Sequence, residues 1–164
     1  LAVNLGFGVH GIILDQWNMI LTNVFALATT VPMLVLLARE LHRPLWKLLA
    51  PGLLGAVALI GLDLTVGTAA FGWAIMIPGT VVNLGQSVAL VRSHTVTGVS
   101  AIYMVMSMLN QVLWCSWGWL LPDLGTAIST TVYLAVVTFN LVWCGLRRLG
   151  LRAFFVITPV SAQA

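Results

Sequence analysis

The chain has 164 residues, of which 60% are hydrophobic and 7% charged, with a formal net charge of +3 and a mean hydropathy of +1.06. A water-soluble domain carries about 25% charged residues, so these few charges cannot coat a soluble globule, and the class expected is an all-α membrane protein. The basic residues sit in short loops rather than on a patch, which excludes nucleic acid as a partner and leaves the lipid bilayer as the surrounding medium.

Residues 1–14 are apolar up to Asp15. As a helix they rise about 21 Å, short of a hydrocarbon core about 30 Å thick, so they are expected to be the outer part of a helix. Residues 17–40 make a full span closed by Arg39-Glu40, and His42-Arg43-Pro44 follow. Residues 45–66 make the next span. Its small residues Gly52, Gly55, Ala56 and Gly61 allow close helix contact. Spans over 69–92, 97–121 and 124–147 complete the set, with Pro78 inside the first of them. The tail 149–164 is expected to be weakly amphipathic, then polar and disordered. The chain opens on Leu1 without a charged n-region or cleavage site, so no signal peptide is expected, and the natural start is expected upstream.

Lys and Arg occur only in alternate loops: Arg39, Arg43 and Lys47 in one, Arg92 in another, and Arg147, Arg148 and Arg152 at the C-terminal end. The positive-inside rule makes that side cytoplasmic, with the C-terminus inside. Trp17 and Trp73 are expected near the outer interface and Trp46 and Trp143 near the inner one. Trp114 falls in mid-span. Cys115 and Cys144 are placed too differently along their helices to expect a disulfide, and the sequence holds no metal-binding spacing. No nucleophile–base pair, paired carboxylates or phosphate loop suggests an enzyme, and no cofactor is implied.

Residues 4–40 fall on 111–147 without a gap when shifted by 107. Gly11 meets Gly118, Leu14 meets Leu121, Leu27-Ala28 meet Leu134-Ala135, and Leu34-Val35 meet Leu141-Val142. Phe7 meets Trp114, His10 meets Trp117, and Asn23 meets Thr130. Parallel repeats of this kind are a known transporter plan. The fold class expected is two parallel three-helix bundles joined by a linker helix, with the first helix and the start of the second missing. The divisions are 1–40, the linker 41–67, the second bundle 68–148 and the tail 149–164.

The register of the second half resembles the SWEET, SemiSWEET and PQ-loop superfamily of transporters. Gly85-Gln86 stand where the family has Pro-Gln, with Gly85 15 residues before Ser100. Arg92, Ser93 and Thr95 fill the inner loop. Trp114 follows Ser100 by 14 residues within Leu113-Trp114-Cys115-Ser116-Trp117-Gly118, against a family pattern of Leu-Trp-x-x-Tyr-Gly. Three positions depart from the pattern: Gly85 replaces Pro, Ile102 replaces a second Pro, and Thr130 replaces the Asn 16 residues beyond the Trp. The resemblance implies a passive carrier of a small neutral sugar working by alternating access. Its pocket would be lined by Trp114, Asn23, Thr130 and Phe7, with Gly85, Gln86 and Pro78 as hinge or gate.

Spacing places these four residues at a common depth. Trp114 and Thr130 lie eight residues either side of Pro122, about 12 Å from the turn and near the bilayer midplane. Phe7 and Asn23 are arranged likewise about Asp15. Ordinary helix packing for Trp114 and Phe7, an interhelical bond for Asn23 and a bond from Thr130 to its own backbone are the structural alternatives. Asp63 is an acidic residue within an apolar run and a candidate for proton uptake, although its closeness to Gly67 equally suggests contact with outer water. His10 reads as structural. The alternatives to sugar uniport are a proton-coupled amino-acid transporter of the PQ-loop type, a non-transporting sorting receptor, or a chain inactive on its own. The membrane expected is a plasma or bacterial inner membrane, and self-association stays open.

Overall fold

The computed structural model describes residues 1–93, 95–96 and 98–154. The expected disordered end of the tail, His94 and the expected helix start at Thr97 lie outside the described residues. The described chain is helical, with α1 Ala2–Ile13, α2 Trp17–Glu40, α3 Leu45–Thr65, α4 Thr68–Arg92, α5 Ala101–Leu120 and α6 Leu124–Arg148. Among the described residues, four helices are long and apolar enough to cross a membrane: α2, α3, α4 and α6. Helix α1 is apolar but has only 12 residues. Helix α5 is not among the four, although the sequence suggested a span there, because Asn110-Gln111 at its centre offset its apolar residues.

The ends of the helices follow local chemistry. Ser100 caps α5 by accepting the Tyr103 N–H at 3.2 Å, and Asp123 caps α6 by accepting the N–H groups of Gly125 and Thr126 at 3.0 and 3.3 Å. At the C-terminal ends of α2 and α6, His42 and Gly150 turn to positive φ, 50° and 105°. The next residue in each case, Arg43 and Leu151, donates its N–H back to Ala38 and Leu146 at 2.9 and 3.0 Å, closing the last helical turn.

Contacts divide the chain into two compact units, residues 1–78 and 79–164, so the boundary falls inside α4 at Pro78-Gly79. In the first unit α1 packs against both α2 and α3. Its core joins Leu59 of α3 to Phe71 and Ile75 of α4, with Ala2, Val3 and Phe7 of α1 packed against them. In the second unit α5 packs along α6, and Leu90 of α4, Met104 of α5 and Cys144 of α6 form the core.

The two helix hairpins, α1–α2 and α5–α6, are equivalent position by position at their turns. Leu14 donates its N–H to the His10 carbonyl and Leu121 to that of Trp117, both at 3.0 Å. Gln16 bonds Gly11 at 2.7 Å as Asp123 bonds Gly118 at 3.0 Å, and Ile20 bonds Gln16 at 3.1 Å as Ala127 bonds Asp123 at 2.8 Å. Asp15 and Pro122 both take positive φ. Each pair is separated by the 107 positions of the sequence repeat. The glycines match as well. A Cβ on Gly11 would meet Met19 and Ile20, and one on Gly118 would meet Thr126 and Ala127, which are the shifted counterparts. At the far end the register slips by one, since Arg43→Ala38 corresponds to Leu151→Leu146.

Candidate functional site

The expected pocket residues fall two to each unit: Phe7 and Asn23 in the first, Trp114 and Thr130 in the second. Phe7 is a core residue. Its ring meets Phe71 edge-on at 5.5 Å between centroids, and it belongs to the cluster around Leu59 and Ile75. Asn23 packs beside Gly8 and donates its side-chain N–H to the Met19 carbonyl of its own helix at 2.8 Å. Its carboxamide oxygen keeps acceptor capacity. Thr130 is buried and donates to the Thr126 carbonyl of its own helix at 2.5 Å. That is the self-satisfied state a threonine adopts inside a helix. Trp114 is half-buried.

One turn before Trp114, on the same face of α5, stands Gln111, whose buried side-chain oxygen has no hydrogen-bond partner. Its repeat counterpart, Asn4, has a partner: the Asn4 amide donates to Thr30 Oγ1 at 3.2 Å. Position 137, opposite Thr30 in the repeat, is valine, so the second hairpin keeps the amide and loses the hydroxyl. Pairing Asn4 with Gln111 in the repeat was the sequence signal that would have singled out Gln111. An aromatic face and an unsatisfied amide oxygen one turn apart suit a ligand that has both C–H surface and hydroxyl donors.

Of the hinge and gate candidates, Gly85 lies within α4 with open space where a Cβ would stand, and Pro78 marks the junction of the two units. Gln86 is half-buried. Beside it, Ser87 links α4 to α6. Ser87 donates to the Asn140 side-chain oxygen at 2.6 Å, and the Asn140 amide reaches the Asn83 carbonyl at 3.3 Å, joining α4 to α6 through buried polar groups. Further along, Arg147 holds the carbonyls of Val91 and Ser93 at 3.4 and 2.5 Å, and Arg148 holds that of Val99 at 2.7 Å. These carbonyls lie at and beyond the C-terminal end of α4, where a helix leaves acceptors unsatisfied.

Asp63 and His10, treated separately in the sequence, form one buried pair. His10 Nδ1 lies 2.6 Å from Asp63 Oδ2, with His10 0% and Asp63 7% exposed. The Phe71 ring stacks on the imidazole at 4.5 Å and 21°. Asp63 Oδ1 is buried with no hydrogen-bond partner. Three elements meet there: α1, α3 and the N-terminal part of α4.

Among the described residues no group of three or more His, Cys, Asp or Glu side chains is placed to hold a metal ion. Comparison with protein-family models, with characterised proteins and with solved structures returned no match.

Proposed function

We propose that the protein is a membrane transporter that moves a small neutral solute, a sugar, by alternating access between two repeated helical bundles. The observation that carries this reading is the equivalence of the α1–α2 and α5–α6 turns, hydrogen bond for hydrogen bond at a constant offset. Parallel repeats with substrate bound near the midplane are an established transporter plan. In this reading α3 is the linker, and α4 opens a second three-helix bundle in which α6 meets both other helices. The C-terminus is cytoplasmic, on the side of the arginine-bearing loops.

The choice of a sugar rests on the resemblance at Gly85-Gln86, Ser100 and Trp114, and on the pairing of Trp114 with the unsatisfied Gln111 on one helix face. An indole covers the C–H face of a sugar ring while an amide accepts from its hydroxyls. Passive uniport agrees with the low charge of the chain, 7% of its residues. Radiolabelled sugar uptake into proteoliposomes tests the reading. Equilibrating uptake without a proton gradient is expected, reduced at least about tenfold by Trp114→Ala or Gln111→Ala, the loss of about 1.4 kcal/mol of stabilisation. Absence of flux for hexoses and disaccharides would sink it, and amino-acid flux following a proton gradient would favour the PQ-loop alternative.

A further inference from the structure

The second unit carries its charge at one end. Arg92, Arg147, Arg148 and Arg152 are the Lys and Arg residues of positions 79–164. Asp123, the one Asp or Glu there, precedes α6 and so lies about 37 Å from Arg148 along the helix. Three segments are fastened together at the arginine end. Arg147 and Arg148 hold carbonyls at the end of α4 and before α5. The third segment is the chain beyond α6. Gly150 turns it back at a φ of 105°, and the Phe154 N–H reaches the Val91 carbonyl at 3.0 Å. The Phe154 ring lies 5.8 Å from that of Trp143, which stacks on Phe139 at 5.5 Å.

That bond brings Arg152, two residues before Phe154, close to Arg92, the residue after Val91. Covalent geometry limits their Cα atoms to a separation of at most about 12 Å, so both guanidinium groups can reach one anion between them. Arg92, Arg148 and Arg152 are all exposed. Arg92 and Arg152 make no hydrogen bond or ion pair with the described residues, and Arg148 uses one of its five donors, on Val99. Like charges fastened together without a carboxylate attract a counter-charge from outside the chain. Apolar side chains lie exposed beside them: Leu149 at 87%, Phe154 at 48% and Leu151 at 38%. A soluble anion gains nothing from that surface. A phospholipid matches both parts, with a phosphate for the guanidinium forks and acyl chains for the leucines. Helix α6 is long and apolar enough to cross a membrane, which puts its end and the Trp143–Phe154 pair at headgroup level.

We propose that the end of α6 is a binding site for one anionic phospholipid, its phosphate held by Arg92, Arg148 and Arg152 and its acyl chains lying against Leu149 and Phe154. The site is built by the fold, because the turn at Gly150 and the Phe154–Val91 bond bring Arg152 to Arg92. It differs in this from the basic loop of the first unit, where Arg39 and Arg43 flank the carboxylate of Glu40. The inference rests on the placement of α6 across a membrane and is independent of what the protein carries.

The test uses the full chain in a neutral detergent, titrated with phosphatidylglycerol or phosphatidylcholine, with bound lipid counted by native mass spectrometry. One phosphatidylglycerol is expected to be retained, and phosphatidylcholine to bind at least about tenfold more weakly. Arg92→Gln and Arg152→Gln should each weaken phosphatidylglycerol about fivefold, the usual worth of one arginine at an anionic surface, and leave phosphatidylcholine unchanged. Both replace exposed side chains without a partner in the protein, so the fold is kept. Arg43→Gln removes the same charge from the other basic loop and should leave the retained lipid unaffected. Equal retention of the two lipids overturns the proposal. So does an equal loss in Arg43→Gln and Arg152→Gln, which is diffuse attraction without a site. Displacement of phosphatidylglycerol by millimolar inorganic phosphate also overturns it, since the ligand is then a soluble anion.

Discussion

Gly118 shows how a single residue positions the second hairpin. A Cβ there would stand 2.5 Å from the Ala127 nitrogen and 2.8 Å from its Cα, and backbone atoms cannot rotate away as a side chain can. Gly118→Ala should therefore cost about 3 kcal/mol, the upper part of the usual overpacking range. At Gly11 the nearest atoms are the Met19 Cβ at 3.0 Å and the Ile20 nitrogen at 3.1 Å, so Gly11→Ala should cost less. Gly61 and Gly85 lie in helices with open space at the Cβ position, and alanine there should raise stability by up to about 1 kcal/mol. Unfolding midpoints in one detergent would rank the four variants, and a Gly118→Ala midpoint equal to wild type would refute the packing account. If Gly85 is a hinge, Gly85→Ala should raise the midpoint and slow uptake together. At this scale the sequence showed Gly11 and Gly118 through their repeat partnership. It did not show the His10–Asp63 contact, because the two residues are 53 positions apart in no shared motif, and the repeat set His10 opposite Trp117.

Whole elements depend on polar contacts that no periodicity displays. Helix α4 is held to α6 by Ser87, Asn83 and Asn140 in its buried part and by Arg147 at its end. Hydrogen bonds between membrane helices contribute less than their burial suggests, about 0.6 kcal/mol on average and about 1.7 at most, because the unfolded chain in lipid also finds partners. A double-mutant cycle of Ser87→Ala with Asn140→Ala should give a coupling in that range, with the Asn140 change the more damaging since it also removes the bond from the Asn140 amide to the Asn83 carbonyl. A coupling of zero would mean that apolar packing around Leu90 and Cys144, with Arg147 at the end of α4, joins these helices. Arg147→Met should loosen the last turn of α4, read as faster amide exchange at Val91 to Ser93, while Arg147→Lys should restore it only in part because one ammonium replaces a fork of donors. The start of α6 was legible, directly after Asp123, whereas α5 begins after its cap at Ser100, later than the sequence suggested. The partner of each helix was not legible, since an alternation of apolar residues shows that a face is buried without showing against what.

For the whole molecule the decisive quantity is the number of membrane crossings between the two equivalent turns. Helices α2, α3, α4 and α5 separate the turn at Asp15 from the turn at Pro122. Four crossings place both turns on one side, as parallel repeats require, and three place them on opposite sides. Helix α5 decides between the two, because Asn110 and Gln111 leave it the one long helix below the apolarity of the others. Its packing along α6 supplies what composition lacks, as neighbours do for polar stretches within membrane bundles. The distribution of Lys and Arg agrees with four crossings, since the turns at Asp15, Gly67 and Pro122 contain none of them, while the loops at Arg43 and Arg92 and the C-terminal end hold them all. Single cysteines at Gln16, Val66, Leu121, Leu41 and Arg152, in a chain lacking Cys115 and Cys144, would read this directly in intact cells with an impermeant maleimide. Gln16→Cys, Val66→Cys and Leu121→Cys should react from outside, and Leu41→Cys and Arg152→Cys only after the membrane is opened. Labelling of Leu121→Cys from the side opposite to Gln16→Cys would show that α5 does not cross. The hairpins would then be inverted relative to one another, and transport through two parallel bundles would be ruled out even though their turns match.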